Sequence, residues 1–232
     1  MGTSTTIIAA LNFDGGVVIG ADSQASDVIA KVRWPVQKLD RVRDYPMVLG
    51  FSGQEGSAKR ARKAVEAVSL KTNTFKRRDR VRNALEACLS PEFERIKTKN
   101  PYPKSIWDIA IGALIVYWAE DAPHILEFEY NGDCCFHDHF HAIGSGVDTA
   151  YAIYHTLGGT QLSQLDGAKS TLALLRILRT CVNVEISGVS EPLFVWKIDN
   201  GQANSLSGDE IQANLQVVDE WEEQDRQRFL RS

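Results

Sequence analysis

Two apolar runs rich in β-branched residues, Ile7 to Phe13 and Val17 to Ala21, flank the turn Asp14-Gly15-Gly16. Runs of this length joined by a glycine turn predict a β-hairpin. The returning run ends in Asp22-Ser23, which sets a carboxylate beside Thr5 and Thr6, and Lys38 follows among apolar neighbours. A hydroxyl, a carboxylate and a lysine can therefore share one strand end. Val28 to Val36 reads as irregular or as a short strand, because Pro35 suits no central strand. Met47 to Phe51 reads as a buried strand running into glycines. From Gly56 to Leu70 the residues Ala58, Ala61, Val65 and Val68 recur at helical spacing, with Lys59, Arg60, Arg62 and Lys63 on the other side. That is an amphipathic helix. A second helix, about Asp79 to Lys97, is expected to be bent or broken near Pro91.

Beyond a loop marked by Pro101 and Pro103, Ile106 to Trp118 is too rich in β-branched and aromatic residues to favour a helix and reads as a buried strand. His124 to Tyr130, a turn at Asn131-Gly132-Asp133, and Cys134 to His141 predict a second hairpin, ended by Gly144-Ser145-Gly146. Asp148 to Leu157 and Ala168 to Val182 read as helices separated by Gly158-Gly159 and a polar loop. Leu193 to Ile198 reads as a strand, Asn200-Gly201 as a turn, and Asp209 to Leu230 as a long charged helix. Its stripe of Ile211, Leu215, Val218, Trp221 and Phe229 is expected to pack on its own subunit. Strands grouped apart from helix pairs predict an α+β fold with helices layered on antiparallel sheets. No repeat or linker interrupts the pattern, so residues 1–232 are expected to form a single domain.

Composition narrows the class. With 44% hydrophobic and 24% charged residues the chain can bury a core. A formal charge of -4 gives no case for nucleic acid. No window approaches the roughly 18 unbroken apolar residues of a membrane span, and no basic-then-apolar segment at the N-terminus suggests a secretory signal. A cytoplasmic protein is expected. Cys88, Cys134, Cys135 and Cys181 show no CxxC spacing and read as free thiols.

The chemistry at the strand end has a definite requirement. A threonine hydroxyl is a poor nucleophile until a base takes its proton, and an N-terminal threonine supplies that base in its own α-amine, which titrates near neutrality. A lysine held by a carboxylate can tune the amine, and backbone N–H groups can hold an oxyanion.

The run TTIIAALNFDGGVVIGADSQAS from Thr5 to Ser26, then Lys38, GFSG from Gly50 to Gly53, and AIGSG from Ala142 to Gly146 together resemble a β-type proteasome subunit. The wider group holds archaeal and eukaryotic β subunits, the bacterial two-ring peptidase HslV and other bacterial proteasome-related proteins. The likeness extends from Thr5 to about Ile198, and the tyrosine-bearing N-terminal helix of α-type subunits is missing. The resemblance implies the four-layer αββα sandwich of N-terminal-nucleophile hydrolases and a threonine-type endopeptidase. It implies that Asp22 and Lys38 are the acid and lysine, that Gly50 is the oxyanion glycine, and that Ser145 and Ser187 are the serines completing the site. The sixteen-residue step from Asp22 to Lys38 is the family's own.

Counting sixteen residues back from Asp22 gives Thr6 as nucleophile, whereas reading the motif as Thr-Thr-Ile-Ile, the preferred reading, gives Thr5, with one extra residue absorbed in the glycine turn; Thr3 follows Gly2 but has poorer spacing. The first two choices imply loss of a short propeptide, residues 1–4 or 1–5, after Ser4 or Thr5 where the family more often has glycine. Near Ser187-Gly188 the family's preceding aspartate falls on Val184, with Glu185 next to it. Small or apolar residues at matched pocket positions, Ala25, Val36, Val48 and Ser52, imply a modest apolar preference.

The resemblance further implies stacked homo-oligomeric rings of six or seven subunits, unfolded polypeptide as substrate, and a ring ATPase as a possible partner. It implies no cofactor and no metal. His137, His139 and His141 in HDHFH would share one face of a continuous strand and could in principle hold zinc; a polar face at a subunit contact is the expectation. Two other classes fit the same motifs: an unprocessed, non-catalytic ring scaffold, and an amidohydrolase of the same fold acting on small amides.

Overall fold

A computed structural model describes residues 6–27, 32–43, 45–53, 55–67, 77–99, 111–129, 133–184 and 189–231. The opening hairpin is β1 (Ile8–Phe13) and β2 (Gly16–Ala21), paired from Ile8↔Ala21 to Phe13↔Gly16. Because alternate residues of a strand face opposite ways, β1 serves two cores. Ile7, Ala9, Leu11 and Phe13 pack in a helix-facing cluster, while Ile8 and Ala10 lie in a cluster shared with the other sheet.

A two-stranded ribbon, β3 (Gln24–Asp27) with β4 (Val32–Pro35), follows, and Pro35 closes it at the strand end where no further ladder is needed. Then come β5 (Leu39–Arg41), β6 (Met47–Gly53), α1 (Glu55–Ala67) and α2 (Arg78–Lys99). Of the expected bend or break near Pro91, the break does not occur, since α2 runs through the proline. Proline removes one intrahelical bond, and buried Val81, Leu85 and Leu89 hold the preceding turns against the sheet.

The chain continues as β7 (Ile111–Ala119), β8 (Ala122–Phe128), β9 (Cys134–His137) and β10 (Phe140–Ile143). Here the structure corrects the sequence. Cys134 to His141 is two strands rather than one, because the chain leaves one sheet after His137 and enters the other at Phe140. α3 (Val147–Thr156), a 3-10 turn (Gly159–Gln164), α4 (Gly167–Asn183), β11 (Phe194–Asp199), β12 (Gln202–Ser205) and α5 (Gly208–Arg231) complete it. Asn200 and Gly201 take positive φ, 47° and 75°, as the predicted turn requires.

The two five-stranded antiparallel sheets have orders β10-β1-β2-β11-β12 and β5-β6-β7-β8-β9. Three apolar clusters stack through the molecule: α3, α4 and α5 on the first sheet, sheet on sheet, and α1 with α2 on the second. This is the α-β-β-α sandwich that the resemblance implies. α5 packs through Ile211, Leu215 and Val218, and Arg176 of α4 stacks on its Trp221, 4.6 Å from the ring centre; Phe229 is exposed. Trp118 and Trp196 pack against the inter-sheet core, and Trp107 lies outside the described residues. All four cysteines are free thiols, and no helix among the described residues is long and apolar enough to cross a membrane.

Candidate active site

Thr6 lies one residue, Ile7, ahead of β1, and Asp22 immediately follows β2, so the hairpin register brings the two together. Asp22 is fully buried and held by three donors. The Ile7 N–H (2.9 Å) and Lys38 Nζ (2.6 Å) reach Oδ1, and the Gln24 N–H (2.9 Å) reaches Oδ2. Lys38 Nζ also donates to Thr6 Oγ1 at 3.0 Å. One buried ammonium thus bridges the carboxylate and the hydroxyl.

Burial dominates the titration of this pair. It pushes the Asp22 carboxyl up, against the charge and hydrogen bond of Lys38 and the two amides. It pushes the Lys38 ammonium down, against the charge and hydrogen bond of Asp22. A lysine brought below its ordinary range in a dry pocket can take part in proton transfer that a solvated lysine cannot.

Lys38 is aimed by its backbone. It sits just before β5, whose Leu39 pairs with Gly50 of β6, and its carbonyl accepts from Phe51 N–H at 3.4 Å. Arg62 of α1 donates to the carbonyls of Gln37 (3.2 Å) and Lys38 (3.1 Å) and pairs with Asp40. The sequence places Arg62 on a charged outer face, yet it is half-buried and ties the helix to the lysine's segment.

On the other side of Thr6, the loop between β10 and α3 closes over the backbone. The Thr6 N–H donates to Ser145 Oγ at 3.2 Å, and the Thr6 carbonyl faces Gly146 N–H at 3.4 Å. Gly144 has φ +100°, and a Cβ there would stand 2.1 Å from the Thr6 carbonyl oxygen. Only glycine meets both conditions.

The structure therefore gathers Thr6, Asp22, Lys38 and Ser145. Gly50 lies in β6 between Leu39 and Leu114, where a Cβ would stand 2.8 Å from Ile8 Cγ2. Thr3, Thr5, Ser187 and Glu185 lie outside the described residues. Val48 is wholly buried between the sheets, which removes it from any pocket wall. Sequence reasoning misses Arg62 and the amides of Ile7 and Gln24, and it marks Gly144 in the GSG motif without giving it a role. Of these, only the GSG glycines leave a signal, since a backbone amide has no sequence mark.

Comparison with known proteins places the fold and the chain's family. Three solved structures share the fold: Anbu (ancestral beta-subunit) from Yersinia bercovieri, at TM-score 0.77 and 11% identity over 97% of both chains; a Gly-1 mutant of Anbu from Hyphomicrobium sp. strain MC1, at 0.74 and 13% over 98% of this chain and 97% of that one; and Anbu from the same strain, at 0.74 and 14% over 97% of both. No curated protein matches by sequence. The family model described as "Proteasome subunit" matches residues 1–189, and the chain belongs to that family.

Proposed function

We propose that this chain is a threonine-type endopeptidase subunit of a proteasome-like ring, with Thr6 as its nucleophile once the residues before it are removed. The observation that carries the reading is the buried Lys38 ammonium joining Asp22 Oδ1 to Thr6 Oγ1. A structural ion pair has no need of a second, hydroxyl acceptor at the foot of a strand. Release of the Thr6 nitrogen as an α-amine, beside Ser145 Oγ, supplies the base that the hydroxyl requires.

In this reading the amine takes the Thr6 Oγ proton as the oxygen attacks the scissile carbonyl. Lys38 and Asp22 set the electrostatics at Oγ1 and the amine, and the Gly50 N–H receives the oxyanion. Collapse of the tetrahedral intermediate breaks the C–N bond, the amine passes its proton to the leaving nitrogen, and an ester to Thr6 remains. Water then attacks that ester and regenerates Thr6. Ser187, on the segment beyond α4, completes the serine set in this proposal.

The whole chain acts as one domain, a reading supported by structural likeness over 97% of its length. Its substrates are unfolded polypeptides entering a chamber formed by copies of itself in the cytoplasm, with a ring ATPase as the candidate feeder. The test is peptide cleavage together with labelling by a threonine-directed epoxyketone, in wild type, Thr6→Ala and Thr5→Ala. Loss of both signals in Thr6→Ala alone supports the reading. Loss in Thr5→Ala alone moves the nucleophile to Thr5, and no signal in wild-type rings favours the scaffold.

A further inference from the structure

A second cluster of ligating side chains lies away from Thr6, where the chain crosses between the sheets. β9 is an edge strand of one sheet and β10 an edge strand of the other. His137 ends β9, and His141 is the second residue of β10, so the two imidazoles flank the crossover. They stack, with ring centres 3.5 Å apart and planes 11° from parallel. Glu127 of β8 completes the group. Its Oε2 lies 3.1 Å from His137 Nε2 and 2.7 Å from His141 Nε2. His139, which the sequence puts with the other two histidines, falls in the crossover itself and is exposed; a carboxylate from the neighbouring strand takes its place.

We propose that Glu127, His137 and His141 bind a divalent transition-metal ion of the zinc class, clamping the edge strands β9 and β10 together. Both imidazoles present Nε2 to one carboxylate oxygen, and the three donor atoms all lie within 4.8 Å of one another. In a tetrahedral zinc site with bonds near 2.0–2.1 Å, neighbouring donors stand roughly 3.3 Å apart. The observed 2.7 and 3.1 Å separations need only a small opening to admit the ion.

The outer contacts suit ligation as well. His141 Nδ1 lies 2.8 Å from Tyr151 Oη on α3. An imidazole that ligates through Nε2 carries its proton on Nδ1, and the tyrosine oxygen accepts it there, fixing the tautomer and the ring. His141 Nε2 and His137 Nε2 both approach the same oxygen, Glu127 Oε2, so the two nitrogens and that oxygen face one centre. Two imidazoles and one carboxylate are the donor set of zinc rather than of calcium or magnesium, which take oxygen ligands. The three side chains are 12–21% exposed, so an ion can enter and the fourth position can hold water.

The experiment titrates purified full-length protein, stripped with a chelator, with Co2+ and then Zn2+. It follows the visible d–d absorption of Co2+, its displacement by Zn2+, bound metal per chain by elemental analysis, and the thermal midpoint. The expected result is one ion per chain, a four-coordinate cobalt spectrum and a raised midpoint on metal addition. Glu127→Gln, His137→Ala and His141→Ala each lose the spectrum and the midpoint rise, His139→Ala keeps both, and Tyr151→Phe binds about 10–100-fold more weakly. His137 ends a strand at an edge, so His137→Ala keeps the test alive if His141→Ala fails to fold. Absence of saturable binding, or binding that survives His137→Ala, or loss in His139→Ala, would overturn the proposal.

Discussion

Lys38 Nζ stands 2.6 Å from Asp22 Oδ1 in the interior, with the lysine 5% and the aspartate 0% exposed. Taking two charges out of water is expensive, and their attraction rarely recovers the cost in full. The pair is accordingly read as functional rather than stabilising, and that reading can be measured. Lys38→Met, which leaves Asp22 buried without its cation, is expected to destabilise the protein by about 3–5 kcal/mol. The double variant Asp22→Asn/Lys38→Met should recover most of that loss in chemical denaturation. Both variants should lose at least about 100-fold in peptide cleavage. A double variant no more stable than Lys38→Met would show that the pair holds the fold together.

The same pair predicts a pH signature with a definite sign. Burial raises Asp22 above its ordinary 3.8, so its contribution to stability is present below 3.8 and lost as pH rises through the raised folded value. Burial lowers Lys38 below 10.5, so its contribution is present above 10.5 and lost as pH falls through the lowered folded value. Measured against Asp22→Asn/Lys38→Met, wild-type stability should therefore pass through a minimum between the two folded values. A maximum there would mean that attraction outweighs burial.

Gly144 allows the close approach of the β10–α3 loop to Thr6. With φ at +100° and the Thr6 carbonyl oxygen 2.1 Å from any Cβ, Gly144→Ala meets both backbone strain and a clash that the hairpin cannot relieve by a side-chain rotation. Strain of this kind costs on the order of 1–3 kcal/mol. The variant should unfold at lower denaturant and cleave peptide more slowly, through kcat. Wild-type stability with wild-type kcat would show that the loop need not approach Thr6 as described.

Ser145 tests positioning with little effect on the fold. Its Oγ accepts from the Thr6 nitrogen at 3.2 Å, and one neutral hydrogen bond is worth about 1 kcal/mol net. Ser145→Ala should therefore cost about fivefold in kcat and shift the acidic limb of the pH–rate profile, where the amine loses its proton to become the base, while the thermal midpoint stays close to wild type. An unchanged profile would remove the serine from the amine's surroundings.

Much of this arrangement is legible in the amino-acid sequence, for reasons that particular residues explain. Thr6, Asp22 and Lys38 are joined by equal sixteen-residue steps, and a tight hairpin leaves little freedom in where such positions fall. The helices α1, α3, α4 and α5 can be read because each buries one stripe. β5 and β12 cannot, since LDR and QANS are short and polar and become strands only by pairing with neighbours. Cys134 to His141 reads as a single strand because its three histidines recur at every second position, and periodicity carries no mark of a change of sheet. Glu127 escapes the histidine pattern for the same reason, as it joins that group only through strand pairing. Arg62 looks solvated in sequence because a long side chain can leave a charged face and reach inward.

The central claim is that Thr6 becomes the chain's first residue. The intact mass of the purified protein, with N-terminal sequencing, tests it directly. The first cycle should be threonine, followed by Ile7 and Ile8, with a mass lacking everything before Thr6. An active preparation beginning at any other residue would contradict it.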